Sequence, residues 1–469
     1  MTRRGAVDPR PTVAAVWIGL ATALMPAGAV LAQATPAMPP AQAASEAGRR
    51  ADLLGLYHDA LAGDPTFAAA RYARESAGEL TEQARAALRP NVNAIVTANE
   101  NRFLQQSPPL GVNYWSWGPT LNATLPLYHP QLSDAVGQAE LSVRQADSQY
   151  AQARQDLILR VTQAYFDVLA AEDAVQALES NKKATAENLA QARREFEVGT
   201  KTIVDTHEAQ ARADQIEAQD QVARGDLVVR RYTLFSIVGR DFGALLPLRD
   251  APELVAPRPD SAETWAGQAE QDNPQVLAAR AGDEIAHAEI ERQKAGWRPT
   301  LDLQAQAGLQ RYSGNVTDLT FNAINTQRQA TIGLQLNVPI YTGGLVQSRV
   351  RAALADEERA RQNLELARRT AALGARQAFV GATYGLSQVR ALESAQVSAR
   401  SQLDSTKLGY QVGVRINLEV LDAETQLVNT QRDLKRARYD FLLNGLRLQS
   451  AVGNLSEADI ESINRLLLR

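Results

Sequence analysis

Residues 131–196 contain no proline and a single glycine, Gly137. Small or apolar residues recur there at alternating gaps of four and three: Leu132, Val136, Ala139, Val143, Ala146, Tyr150, Ala153 and Leu157. After one skip of four the series resumes at Val161, Ala164, Val168, Ala171, Val175 and Leu178. Such a heptad seam predicts a helix that keeps one stripe against a partner helix. At about 1.5 Å per residue that helix is about 100 Å long, more than a compact globule can house.

Ahead of the long helix the period of the pattern falls to two. Strands are expected at about 91–103 and 114–128, with a loop by composition at 105–111. In the second strand Trp115, Trp117, Leu121, Ala123 and Leu125 alternate with Ser116, Gly118, Thr120, Asn122 and Thr124. A second strand pair is expected at about 300–312 and 329–341. Leu301, Leu303, Ala305, Ala307 and Leu309 mark one member; Ala330, Ile332, Leu334, Leu336 and Val338 mark the other. Membrane β-barrels use segments of about ten residues with one apolar and one polar face. A soluble antiparallel sheet with one buried face produces the same alternation. The tryptophans at one strand end, where an aromatic girdle belongs, and the lack of any layer to cover the sheet favour the barrel. Four strands cannot close, because the smallest membrane barrels have about eight. Several chains must therefore pool their strands to remove the sheet edges; three copies give twelve, with the helices continuing below as a tube.

The chain also repeats itself. A shift of 214 aligns Ala164 with Ala378, Leu178 with Leu392, Leu189 with Leu403, Val198-Gly199 with Val412-Gly413, Ala209 with Ala423, Arg224 with Arg438 and Val238-Gly239 with Val452-Gly453. Upstream, Asp64-Pro65 meets Asn273-Pro274 and Arg89-Pro90 meets Arg298-Pro299. Residues 51–242 and 261–453 are thus two pseudo-symmetric copies of one unit: helix, two strands, very long helix, glycine-containing break, second long helix. Residues 243–260 form a Pro-rich link and 454–469 a C-terminal segment. The repeat is too long for a solenoid. In the first copy Asp64 is placed to cap a helix that begins with Pro65.

Composition narrows the function classes. The net charge of −4 speaks against nucleic acid as a partner. The absence of cysteine excludes disulfides, thiolate metal sites and a lipoprotein anchor. Arg3, Arg4 and Arg10 precede an apolar run at 13–31 and the small-residue sites Val30-Leu31-Ala32 and Ala32-Gln33-Ala34. This reads as a secretory signal peptide over 1–32, with cleavage after Ala32 or Ala34; an N-terminal membrane anchor is the alternative. Residues 33–50 are expected to be disordered. No later stretch is apolar enough to span a bilayer as a helix, so insertion must use strands. The four histidines, His58, His129, His207 and His287, have no ligand spacing. Gly343-Gly344 turns the chain without a phosphate-loop pattern. No catalytic constellation, cofactor motif or metal site is read.

Three stretches carry a resemblance to a known family. They are Phe196-Glu197-Val198-Gly199 with Ile203-Val204-Asp205, Tyr410-Gln411-Val412-Gly413-Val414-Arg415 with residues 419–423, and residues 437–444 leading to Ala451-Val452-Gly453. Together with the repeat, they resemble the TolC family of trimeric outer-membrane channels over nearly the whole mature chain. The fold class this implies is mainly α with a membrane β-barrel. A homotrimeric twelve-stranded barrel, four strands per chain, would lie in outer-membrane lipid and continue into a periplasmic coiled-coil tunnel. The link 246–259 and the tail after Gly453 would form an equatorial region.

The resemblance further implies a periplasmic gate at Asp205, Tyr410 and Arg415, an acidic entrance ring at Glu419 and Asp422, and helix-break glycines at Gly199 and Gly413. Val204 and His207 depart from the family pattern around the lock. The implied role is a passive exit duct, opened by a periplasmic adaptor protein and an inner-membrane ABC transporter or RND-type pump. The cargo is an exported protein or a small molecule. Type I secretion, for example of an RTX haemolysin- or cyclolysin-type toxin, is the leading expectation, with multidrug efflux as the alternative. A periplasmic coiled-coil adaptor is a reading of another class; it would need one helical hairpin inserted in a small β-rich domain, which two strand-bearing repeats do not match.

Overall fold

The computed structural model describes residues 51–106, 109–200, 202–250, 252–314 and 326–468. The expected signal peptide and the segment to residue 50 lie outside them. The elements run α1 (Leu53–Gly63), α2 (Pro65–Ala86), β1 (Asn91–Gln106), β2 (Pro109–Tyr128), α3 (Pro130–Glu197) and α4 (Ile203–Val238). The same series follows as α5 (Ala262–Asp272), α6 (Pro274–Lys294), β3 (Thr300–Gly314), β4 (Thr326–Asn337), α7 (Leu345–Gln411) and α8 (Asn417–Ala451). A short α9 (Glu457–Asn464) closes the chain.

The helix starts follow from local chemistry. Asp64 Oδ1 accepts the Phe67 amide at 2.6 Å, with Pro65 in the first turn. Asn273 does the same for Gln275 at 2.8 Å ahead of Pro274. Each cap satisfies an amide that the helix cannot, typically worth about 1 kcal/mol. Asp64 also takes both guanidinium nitrogens of Arg160, at 2.9 and 3.1 Å. In the second copy Asn273 donates instead to the Ala451 carbonyl at 2.9 Å.

Helix α3 changes neighbours along its length. Its first half lies between α2 and α6, held by Arg85 to Glu140 at 3.1 Å and Gln138 to Glu289 at 3.0 Å. Its second half pairs with α4, where Arg224 reaches Glu179 at 2.5 Å. Helices α7 and α8 pair likewise, and Arg438 reaches Glu393 at 2.8 Å, 214 residues further on. The duplication is thus preserved in individual ion pairs.

The skip in the seam of α3 has a structural cause. Leu157, Ile158 and Val161 are fully buried there. They join Leu53, Leu56 and Tyr57 of α1, Leu245 and Leu248 of the link, and Ile460 and Ile463 of α9. At this level α3 is wrapped on more sides than a two-helix seam serves, so the apolar spacing shifts. The link is pinned around it: Leu245 bridges Ala51, and Leu248 bridges Leu467. The Tyr165 hydroxyl donates to the Leu246 carbonyl at 2.6 Å, and Arg438 donates to that of Asp250. Link and C-terminal tail therefore form one belt.

The four strands make a single antiparallel sheet in the order β1-β2-β3-β4. Its limits differ from those read in the sequence. β1 and β2 run on to Gln106 and from Pro109, so most of the expected loop is strand and its remaining residues, 107–108, lie outside the described ones. β4 ends at Asn337 rather than 341, ahead of Pro339, which has no amide to donate to the ladder. Register aligns the faces across all strands: Val92 lies opposite Ala123, Ala123 opposite Ala305, and Ala305 opposite Ile332. Asn93, Asn122, Gln306 and Thr331 form the matching polar row. Gly118 is required by close approach, since a Cβ there would meet the Leu309 carbonyl oxygen at 1.8 Å. The apolar face is uncovered: Ile332, Leu334 and Leu336 are 63–74% exposed.

Candidate functional site

The two helix breaks have the same backbone. Gly199 and Gly413 both sit at φ 78°, a left-handed conformation that glycine adopts without a Cβ penalty. The Gly199 amide donates to Phe196 and that of Thr200 to Glu195, both at 2.9 Å. In the second copy Gly413 donates to Tyr410 at 3.1 Å and Val414 to Gly409 at 2.9 Å. These bonds close each long helix and reverse the chain into its partner. Around both turns Val198, Ile203 and Val204, and Val412, Val414 and Ile416, stand exposed.

The restarts differ between the copies. Asp205 is the third residue of α4; its carboxylate accepts the Thr202 amide and hydroxyl, both at 2.9 Å, while Thr202 caps in return. At the equivalent position in α8 stands Glu419, but the cap position is Ile416, which has no side-chain acceptor. Glu419 instead takes Arg415 at 2.6 Å. The Arg415 stem folds back over the helix end, where a Cβ on Gly409 would meet its Cγ at 2.7 Å. Arg415 is exposed and Glu419 partly so, and such surface pairs contribute about 0–1 kcal/mol.

Among the expected gate residues, then, Asp205 closes its own helix turn and Arg415 closes on Glu419. Tyr410 does cross between the copies: its hydroxyl accepts from Gln191 Nε2 of α3 at 2.9 Å. Asp422 crosses as well, receiving Arg212 of α4 at 2.9 Å. Each of the two carboxylates assigned to an acidic ring is thereby neutralised by an arginine of its own chain. Above the turn, Ala399, Leu403, Val420, Ala423 and Leu427 seal α7 against α8, with Tyr410 packed on them.

Gln191 and Arg212 were not singled out from sequence. Their counterparts at a shift of 214 are Ser405 and Gln426, so they are places where the copies diverge near a break. That divergence is the signal that could have found them. A second cross-copy tie lies higher up: Asp173 of α3 accepts Lys435 at 2.6 Å and the Tyr439 hydroxyl at 2.7 Å, both from α8. His58 meets Glu457 and His287 meets Glu357, each as a single pair, and no metal-binding cluster occurs among the described residues.

The profile of the family described as "Outer membrane efflux protein" matches residues 56–240 and 265–454. The outer membrane protein TolC of Vibrio cholerae is 35% identical, with 88% of this chain and 93% of that protein covered. The alkaline protease secretion protein AprF of Pseudomonas aeruginosa is 30% identical, with 88% and 86% covered. Among solved structures, the Campylobacter jejuni CmeC outer membrane channel superposes with a TM-score of 0.74 over 89% of this chain and 90% of that one. At 16% identity this last likeness is one of fold.

Proposed function

The chain belongs to the outer membrane efflux protein family of TolC-like channels, and on that premise we propose that it is the outer-membrane exit duct of a type I protein secretion machine. The family makes it a channel of the outer membrane and not an enzyme. One observation carries the proposed architecture: among the described residues, a four-stranded sheet whose two outer edges have no partner strand and whose continuous apolar face is uncovered. Three copies joined β4 to β1 would remove every edge and turn that face to lipid. The helix row α2-α3-α6-α7 has open flanks of the same kind.

Protein cargo is favoured by the likeness to AprF over most of both chains, a relative named for protease secretion. Drug efflux is the second reading. The tips would be the gate. Because Arg415 and Asp205 each have a partner within their own chain, the lock between them is proposed to form between neighbouring chains, at the ring where three tips converge. A charge-assisted bond there is weak enough singly to be broken by a recruited partner complex. The exposed valines and isoleucines at both turns suit docking of a periplasmic adaptor, with an inner-membrane transporter supplying the energy.

Deleting the gene and comparing secreted proteins with drug susceptibility tests the cargo. Loss of a secreted protein with unchanged susceptibility is expected; the reverse outcome assigns the channel to efflux. An SDS-resistant trimer in the outer-membrane fraction is the expected state of the protein, and a soluble periplasmic species would rule the duct out.

A further inference from the structure

The apolar face of the sheet is asymmetric in charge. Near the helices its rows are Val92, Leu125, Leu303, Leu334, Leu301 and Leu336, with no Asp, Glu, Lys or Arg among them. At the opposite end, the hairpin end, the same face bears Arg311 opposite Trp117, Arg328 opposite Leu309, and Arg102 further out. All three arginines are exposed. Arg311 holds its guanidinium 5.4 Å above the Trp117 ring. Arg328 is its diagonal neighbour one row away, a separation of roughly 7–8 Å between such positions. Glu100, opposite Trp115, is the one acid among the described residues of this face, and no ion pair joins it to the arginines.

A guanidinium on a lipid-facing wall costs about 2–4 kcal/mol at the bilayer midplane and almost nothing at the interface. The arginines and the tryptophans therefore mark an interface, and their distance from the helices makes it that of the distal leaflet. Arginine stems lie along apolar surface while the heads reach headgroup level. A guanidinium matches phosphate with two parallel hydrogen bonds, which a hydrated ammonium does not. We propose that Arg311 and Arg328 bind the phosphate of a phosphorylated glycolipid in the leaflet around the hairpin end, with Trp117 holding Arg311 in place. The site rests on the reading of this sheet as a lipid-facing barrel wall. It ties the channel to the chemistry of its own membrane.

Purified trimer is incubated in detergent with bisphosphorylated lipid A or with its dephosphorylated form, and retained lipid is counted by native mass spectrometry. The wild-type protein is expected to retain the phosphorylated form preferentially. Arg311→Gln with Arg328→Gln should cut retention by roughly tenfold per arginine, as for a lost charged hydrogen bond. Arg311→Lys alone should lose less than Arg311→Gln. Equal retention of the two lipids by wild type, or undiminished retention by the double variant, overturns the site; the first comparison needs no variant to fold. Vesicle insertion tests the barrel separately from the lipid site. A folded protein that does not enter vesicles overturns both barrel and site, whereas insertion with equal lipid retention overturns the site alone.

Discussion

Gln191 of the first copy donates a hydrogen bond to the Tyr410 hydroxyl of the second at 2.9 Å, directly above both glycine turns. It is a side-chain tie between α3 and α7, which otherwise belong to separate helix pairs. Tyr410→Phe removes only the hydroxyl and leaves the ring packed on the α7–α8 seam. A neutral bond of this kind contributes about 1 kcal/mol. Tyr410→Phe and Gln191→Leu should each raise single-channel conductance in a planar bilayer, and the double variant should add little to either. Strict additivity of the two would show that they do not act as a pair.

Arg415→Ser should also raise conductance, and so should Asp205→Ala. The second variant carries a side effect, because Asp205 closes the capping box of α4, and losing such a cap costs about 1 kcal/mol. Glu419→Gln separates the readings. It frees Arg415 from its partner in the same chain, so a lock between chains should hold as well as before. If Glu419→Gln opens the channel as Arg415→Ser does, the relevant bond is the one inside the chain.

Cation selectivity should fall when Glu419 and Asp422 are replaced by alanine, though less than two free carboxylates would give. Arg212→Gln is the sharper test. It unmasks Asp422, whose carboxylate now receives Arg212 at 2.9 Å, and should increase cation selectivity as read by the reversal potential in a salt gradient. No change in either experiment would place the selecting charge elsewhere.

Acid stability should depend on Asp64, which is 2% exposed. Burial pushes its carboxyl up, but bonds from the Arg160 guanidinium and the Phe67 amide outweigh this and leave it below its ordinary value of 3.8. A depressed value means that the stabilisation is full above the ordinary value and fades as pH falls through the lower, folded one. Asp64→Asn keeps an N-cap, as Asn273 shows in the other copy, but loses the ion pair. Arg160 is partly solvated, so the cost should be about 1–2 kcal/mol rather than that of a fully buried pair. Thermal unfolding across pH should show the variant less stable at neutral pH and less sensitive to acid; parallel curves would contradict the assignment.

What could be read along the chain was whatever repeats locally. The seam from Leu132 to Leu178 specifies a helix, because a stripe repeating every 3.5 residues faces one side at any point along it. The alternation in Leu301 to Leu309 specifies a strand, because successive side chains leave opposite faces. Asp64-Pro65 and Asn273-Pro274 announce helix starts, and Val198-Gly199 and Val412-Gly413 announce turns, since each acts through bonds a few residues away. The duplication supplied the two-copy architecture.

Contacts between distant segments were not legible in this way. The skip at Leu157 to Val161 was visible, but its cause, the belt of Leu245, Leu248, Ile460 and Leu467, involves residues far away in the chain. The tip was the hardest part. Asp205 and Glu419 occupy equivalent positions, yet one caps its helix and the other takes Arg415, because Thr202 is matched by Ile416. Gln191 and Arg212 acquire partners only through the crossing of the two helix pairs. Local periodicity, set by backbone geometry, determined the elements; which polar groups satisfy one another across them was decided by the tertiary structure, because a side-chain hydrogen bond depends on placement to within a fraction of an ångström.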